Sequence, residues 1–144
     1  MEENIIDAAK SAIQLRVTSG TISEHTRNAQ KITKEWRTAC YNLDPSRILF
    51  EESVHPEFNE RIDIIDREEM TAYELKVSGN NASNEFYKDI VKIIVWNKLK
   101  PSNKIKKLIF ITVKDGRRFL DKKFIEEYLV ALNQMGILVK VIYI

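Results

Sequence analysis

The sequence predicts one α/β domain, residues 1–144, with a mixed central sheet of about five strands flanked by helices: a three-stranded antiparallel meander plus two further strands. Three observations carry this expectation. The 144 residues are 44% apolar with only four glycines and three prolines, enough to bury one core and too apolar for a disordered chain. The hydrophobic spacing changes from helical to alternating at Ile48 and returns to helical near Phe86. Leu108 to Val113 is then a nearly unbroken apolar run, as a strand covered on both faces requires.

Each element follows in order. Ile5, Ile6, Ala9 and Ile13 predict a first helix over residues 3–17, interrupted by the Thr18-Ser-Gly-Thr-Ile-Ser23 cluster. Ser23 suits the N-cap of a second helix whose stripe is His25, Ala29, Ile32, Trp36, Ala39 and Leu43, ended by Asp44 and Pro45. Residues 48–54, 61–66 and 71–78 read as three strands separated by polar turns. Phe86, Ile90, Ile93 and Ile94 mark a third helix, and the breadth of its apolar arc implies cover from two sides. After the strand at 108–113, a loop at 114–117 leads into a helix over 121–135 with Phe124, Ile125, Tyr128, Leu129 and Leu132 inward. Gly136 stops it, and residues 137–144 form a last strand, parallel to its predecessor through the helical crossover.

The single cysteine, Cys40, excludes an internal disulfide, and with two histidines it leaves little for zinc or copper. Any metal is therefore held by oxygen, and Cys40 itself reads as a packing residue. Met1-Glu-Glu-Asn has neither the basic nor the apolar region of a signal peptide, and no apolar run approaches the ~20 residues of a membrane helix. A cytoplasmic protein without membrane contact is expected. The net charge of +2 conceals two opposed segments. Residues 49–74 hold nine acids against Arg61 and Arg67, whereas residues 92–123 hold eleven bases against Asp115 and Asp121. An acidic centre beside a basic flank suits a cation and a polyanion together.

The chemistry rests on two strands, Arg61-Ile-Asp-Ile-Ile-Asp66 and Thr71-Ala-Tyr-Glu-Leu-Lys-Val-Ser78. A hairpin centred between Glu68 and Glu69 sets Asp63 directly opposite Glu74, on one face and with Cβ atoms ~4.5–5.5 Å apart, where like charges destabilise a sheet. Alternation adds Lys76 to that face and leaves Ile62, Ile64, Tyr73, Leu75 and Val77 for a core. A divalent cation resolves the conflict between the acids. Carboxylates, a main-chain carbonyl and retained water suit Mg2+, with Mn2+ as a substitute. Lys76 can orient or help deprotonate an attacking water and offset phosphate charge. The implied reaction is phosphodiester hydrolysis without a nucleophilic side chain or an organic cofactor.

An aspartate on one strand, ten intervening residues, then Glu74-Leu75-Lys76 on the next strand and a helix after it resembles the PD-(D/E)XK nuclease superfamily, which includes many restriction endonucleases and junction resolvases. The resemblance spans residues 24–113, in the order helix, three strands, helix, strand, with Ile62 where the family name has proline. It implies a restriction-endonuclease-like fold, metal ligation by Asp63, Glu74 and the Leu75 carbonyl, and a catalytic Lys76. A further acid of the family falls among Glu24, Glu35, Glu51 and Glu52, of which Glu52 is favoured on the strand and Glu35 on the helix.

Lys88 lies where the family's following helix reaches a phosphate, and Lys104, Lys106, Lys107, Arg117 and Arg118 would add salt-dependent affinity for a DNA backbone. Trp96, among charged neighbours, is expected in the core or against a base, His25 buried on its stripe, and His55 in a solvated loop. No base-reading motif is present. The expected protein is a Mg2+-dependent endonuclease acting on DNA as a homodimer, since one such site cuts one strand. The competing expectation is an inactive domain of the same fold that holds nucleic acid or a protein partner through its basic flank.

Overall fold

The computed structural model describes every residue from Met1 to Ile144. Helices α1 (Glu2–Ile13) and α2 (Ile22–Leu43) precede a meander of β1 (Ile48–Ser53), β2 (Arg61–Asp66) and β3 (Thr71–Lys76). Helix α3 (Ala82–Leu99), β4 (Lys107–Thr112), the short α4 (Arg117–Leu120), α5 (Lys123–Gln134) and β5 (Leu138–Tyr143) complete the chain. The strands lie in sequence order, antiparallel from β1 to β3 and parallel from β3 to β5.

This α/β domain has its mixed sheet between two helical layers, and each layer has its own core. Ile5, Ile32, Trp36 and Cys40 of α1 and α2 pack on Ile48, Ile64, Tyr73, Ile109 and Ile111. Phe86, Ile93 and Trp96 of α3 and Ile125 of α5 pack on Ile62, Ile65, Ala72, Leu108 and Phe110. The apolar run at 107–112 is buried from its second residue to its last because both layers cover β4.

Local chemistry fixes the element ends. Helix α2 is capped by Thr21, not Ser23: the Thr21 hydroxyl accepts from the Glu24 N–H while the Glu24 carboxylate accepts from the Thr21 N–H. The Trp36 indole donates to the Ile5 carbonyl at 3.1 Å and ties α1 to α2. Before β1, Arg47 forks onto both oxygens of the buried Asp66 carboxylate, at 2.7 Å each, and closes the end of the meander where β2 turns into β3. In α5, Phe124 and Tyr128 face outward where the sequence places them inward; only Ile125 and Leu132 are buried, because the helix lies at the margin of its layer.

Candidate active site

The meander breaks at one place. Between β1 and β2 the pairing skips Glu51 and Asp63, and Glu51 adopts φ 53°, a left-handed conformation uncommon for a glutamate. Between β2 and β3 the ladder has the expected register but ends at Ile64 and Tyr73. β3 nevertheless stays paired with β4 as far as Lys76, so β2 and β3 part beyond that point and leave a notch. The break also shifts the side-chain alternation: Ile62 joins the α3 core, whereas Ile64 joins the α2 core.

Asp63 and Glu74 therefore do not share a face as a paired couple, which corrects the expectation from an unbroken hairpin. Asp63 Oδ2 accepts from the Leu75 N–H at 3.2 Å, occupying the place of the missing ladder bond. Since the N–H and C=O of one strand residue point to the same side, the Leu75 carbonyl opens onto the same notch. Asp63 Oδ1 meets Arg37 Nη1 of α2 at 3.3 Å, and that nitrogen also lies 3.0 Å from Glu51 Oε1.

Glu74 turns towards α3 and is buried, with Oε1 2.6 Å from Lys92 Nζ and Oε2 3.6 Å from Lys76 Nζ. Lys92 plugs the notch from this side, donating to Glu74 and to the Arg61 carbonyl at 2.7 Å. Asp89, also fully buried, lies 2.7 Å from Lys92 and 3.2 Å from Lys76. Glu85 reaches Lys76 at 3.4 Å.

Burial pushes the Glu74 carboxyl well above its ordinary range, and Asp63 and Asp89 add to the shift. Burial raises Asp89 as well, against the pull of both lysines. The same burial would lower Lys76, but Glu74, Asp89, Asp63 and Glu85 outweigh it and hold the ammonium protonated. Glu74 and Asp89 do the same for Lys92. Lys76 thus stands in the site as a positively charged hydrogen-bond donor.

Lys76, Leu75 and Asp63 form the floor of a cleft of about 950 Å³. Thr26, Gln30, Thr33 and Arg37, at helical spacing, make its α2 wall, and Ser78, Asn80 and Asp115 close the other end. No three histidine, cysteine or acidic side chains converge on one point as a ready metal site. The donor chemistry still fits a hard divalent cation. Asp63 and Leu75 line the cleft with Glu74 buried beside them, and the five acids around the notch (Glu51, Asp63, Glu74, Glu85 and Asp89) outnumber Arg37, Lys76 and Lys92 by two.

Of the further candidate acids, Glu51 comes nearest to the notch. Glu52 pairs with Ile62 on β2 and is half-buried, while Glu35 is exposed and Glu24 serves the α2 cap. His25, expected to be buried, is exposed and lines the cleft, because the buried stripe of α2 is Ile32, Trp36 and Cys40. Trp96 is core, donating from its indole to the Asn103 carbonyl at 2.8 Å. His55 accepts from the Glu57 N–H within its loop.

The basic residues divide between the two ends of the sheet. Arg117 and Arg118 are exposed just beyond β4, in a hollow that shares Asn80 and Asp115 with the cleft. Lys88 is exposed on α3 beside Glu60. Lys104, Lys106 and Lys107 lie at the opposite end, since Lys107 pairs with Thr71 while Thr112 pairs with Lys76, and Lys107 is engaged by Glu2.

Sequence reasoning missed Asp89, the inward position of Lys92, and Arg37. A signal existed for the first two: Glu85, Asp89, Lys92 and Trp96 follow each other at spacings of four, three and four on the buried arc of α3. The chain matches no protein-family model, no curated protein and no solved structure.

Proposed function

We propose that this chain is a divalent-metal-dependent endonuclease that hydrolyses phosphodiester bonds of DNA, built on the restriction-endonuclease-like plan and acting in the cytoplasm as a homodimer. The observation that supports it best is the meeting of Asp63, the Leu75 main chain and protonated Lys76 at the floor of one cleft, with Glu74 buried beside them. Mg2+ or Mn2+ held by Asp63, Glu74 and the Leu75 carbonyl would supply charge neutralisation and lower the pKa of an attacking water. Lys76 would hydrogen-bond through Nζ to a non-bridging oxygen of the scissile phosphate and offset the charge that develops on the phosphoryl oxygens. Asp63 Oδ2, anchored on the Leu75 N–H, keeps its carboxylate fixed across the notch.

Purified protein with Mg2+ at low salt is expected to cut at least one of plasmid, nicked or branched DNA; all three left intact would refute the activity. Lys76→Ala should reduce cleavage by about 10²–10³-fold while DNA binding persists, in line with the loss of one preorganised donor to a developing oxyanion. In calorimetry, Mn2+ uptake by the wild type is expected to disappear in Asp63→Asn. Sedimentation velocity tests the dimer.

A second reading has a specific observation behind it. Asp63 and Glu74 each already face a resident cation, Arg37 and Lys92, which suits a domain of this fold that holds nucleic acid or a partner without cutting it. DNA binding unaltered by Asp63→Asn, without cleavage in the wild type, would favour it.

A further inference from the structure

We propose that Arg37 is the exchangeable cation of the cleft: it neutralises Glu51 and Asp63 while the cleft is empty and turns its guanidinium to a substrate phosphate when a divalent ion takes its place. This role rests on the nuclease reading above and adds a residue to it.

The two oxygens of Asp63 are used differently. Oδ2 is fixed by the Leu75 N–H, whereas Oδ1, the oxygen free to accept a cation, is held only by Arg37 Nη1 at 3.3 Å. The same nitrogen meets Glu51 Oε1 at 3.0 Å, so one guanidinium bridges two carboxylates across the break in the meander. The contact is built into the backbone: Glu51 holds φ 53° at the position where β1 would otherwise pair with Asp63. Such a conformation persists only where the surroundings enforce it.

Arg37 also has donors to spare. Its Nε and Nη2 make no hydrogen bond to the protein, and the side chain belongs to the cleft wall with Thr26, Gln30 and Thr33. A planar fork with unused N–H groups matches the oxygens of a phosphate, which a lysine cannot match in two-point geometry. The carboxylates lose their counter-charge when Arg37 leaves, and a divalent ion restores it. Binding of the ion and release of the fork therefore favour each other.

The experiment titrates wild type, Arg37→Ala and Arg37→Lys with Mn2+ alone by calorimetry, then with a fluorescent DNA duplex in Ca2+ by anisotropy over a salt series. Arg37→Ala is expected to bind Mn2+ about 3- to 10-fold more tightly, because its competitor for Asp63 is gone. It should bind DNA about tenfold more weakly, with the salt dependence reduced by about one ion. Arg37→Lys should keep the metal affinity of the wild type and bind DNA nearly as weakly as Arg37→Ala. If Arg37→Ala fails to fold, Arg37→Gln carries the same two measurements. Mn2+ affinity that is unchanged or weakened in the charge-removing variants overturns the exchange. Wild type that takes up neither Mn2+ nor DNA overturns the nuclease reading and this role with it. Normal uptake by wild type, with both affinities unmoved in the variants, overturns the role alone.

Discussion

Lys92 ties three groups of the site together from within the α3 core, because its ammonium contacts the Arg61 carbonyl, Glu74 and Asp89. Lys92→Met keeps the aliphatic stem and removes the charge, leaving two buried carboxylates with Lys76 alone. Breaking a buried ion pair from one side costs about 3–5 kcal/mol, so a loss of this size is expected in urea unfolding. Lys88→Met, at an exposed position on the same helix, should stay within about 0.5 kcal/mol. A loss in Lys92→Met no larger than the Lys88 control would show that the notch does not depend on this plug. The residues of the notch were only partly legible in sequence. Hairpin symmetry, a short-range rule, gives the β2–β3 register and points to Asp63, Glu74 and Lys76, but the facing of Asp63 and Glu74 that it predicts is lost at the break. Arg37 follows from no such rule, because its partners lie on β1 and β2 and only tertiary packing brings α2 over them. Asp89 and Lys92 were hidden by a habit of reading charge as surface, although their helical spacing with Trp96 marks them as inward.

Among the elements, the three strands of the meander, the apolar β4 and the order of the four longer helices could be read directly, since each spans at least six residues, whereas the four-residue α4 is too short to show a period. The break at Glu51 and Asp63 could not, because no glycine or proline marks it; a glutamate takes the left-handed conformation instead. The seating of α1 was equally unreadable. Glu2, in its first turn, bonds Lys107 on β4 and Lys140 on β5, joining the helix to two neighbouring parallel strands. Hydrogen bonds from these two lysines hold the Glu2 carboxyl below its ordinary value of 4.5. A depressed carboxyl stabilises the fold above its unfolded value, and that contribution fades as pH falls through the folded one. Glu2→Gln should therefore cost about 1 kcal/mol or less at pH 7, the modest worth of a partly solvated ion pair. The difference from wild type in urea midpoints should shrink below pH 4.5 and vanish in stronger acid. A difference that stays constant from pH 7 to pH 3 would mean the lysines are not its source.

At the scale of the whole molecule, what matters is which charges share an end of the sheet. Counting bases along the chain groups Lys104, Lys106 and Lys107 with Arg117 and Arg118, but β4 runs between the two sets and separates them. Five residues of strand at ~3.3 Å each put the first set about 17 Å from the Lys76 end. That is twice the Debye length of about 8 Å at physiological ionic strength, so those lysines act weakly on a polyanion lying in the cleft. Arg117 and Arg118 border the hollow that adjoins it. Replacing both by glutamine is expected to lower DNA affinity and to reduce the slope of log affinity against log salt by about one ion for each arginine that meets a phosphate. The double change Lys104→Gln with Lys106→Gln should leave affinity and slope at 0.15 M salt near the wild-type values. Equal losses in the two double variants would mean that DNA crosses the full length of the sheet instead of entering at the end where Lys76 and Asp63 lie, and the cleft would then no longer define the path of the substrate.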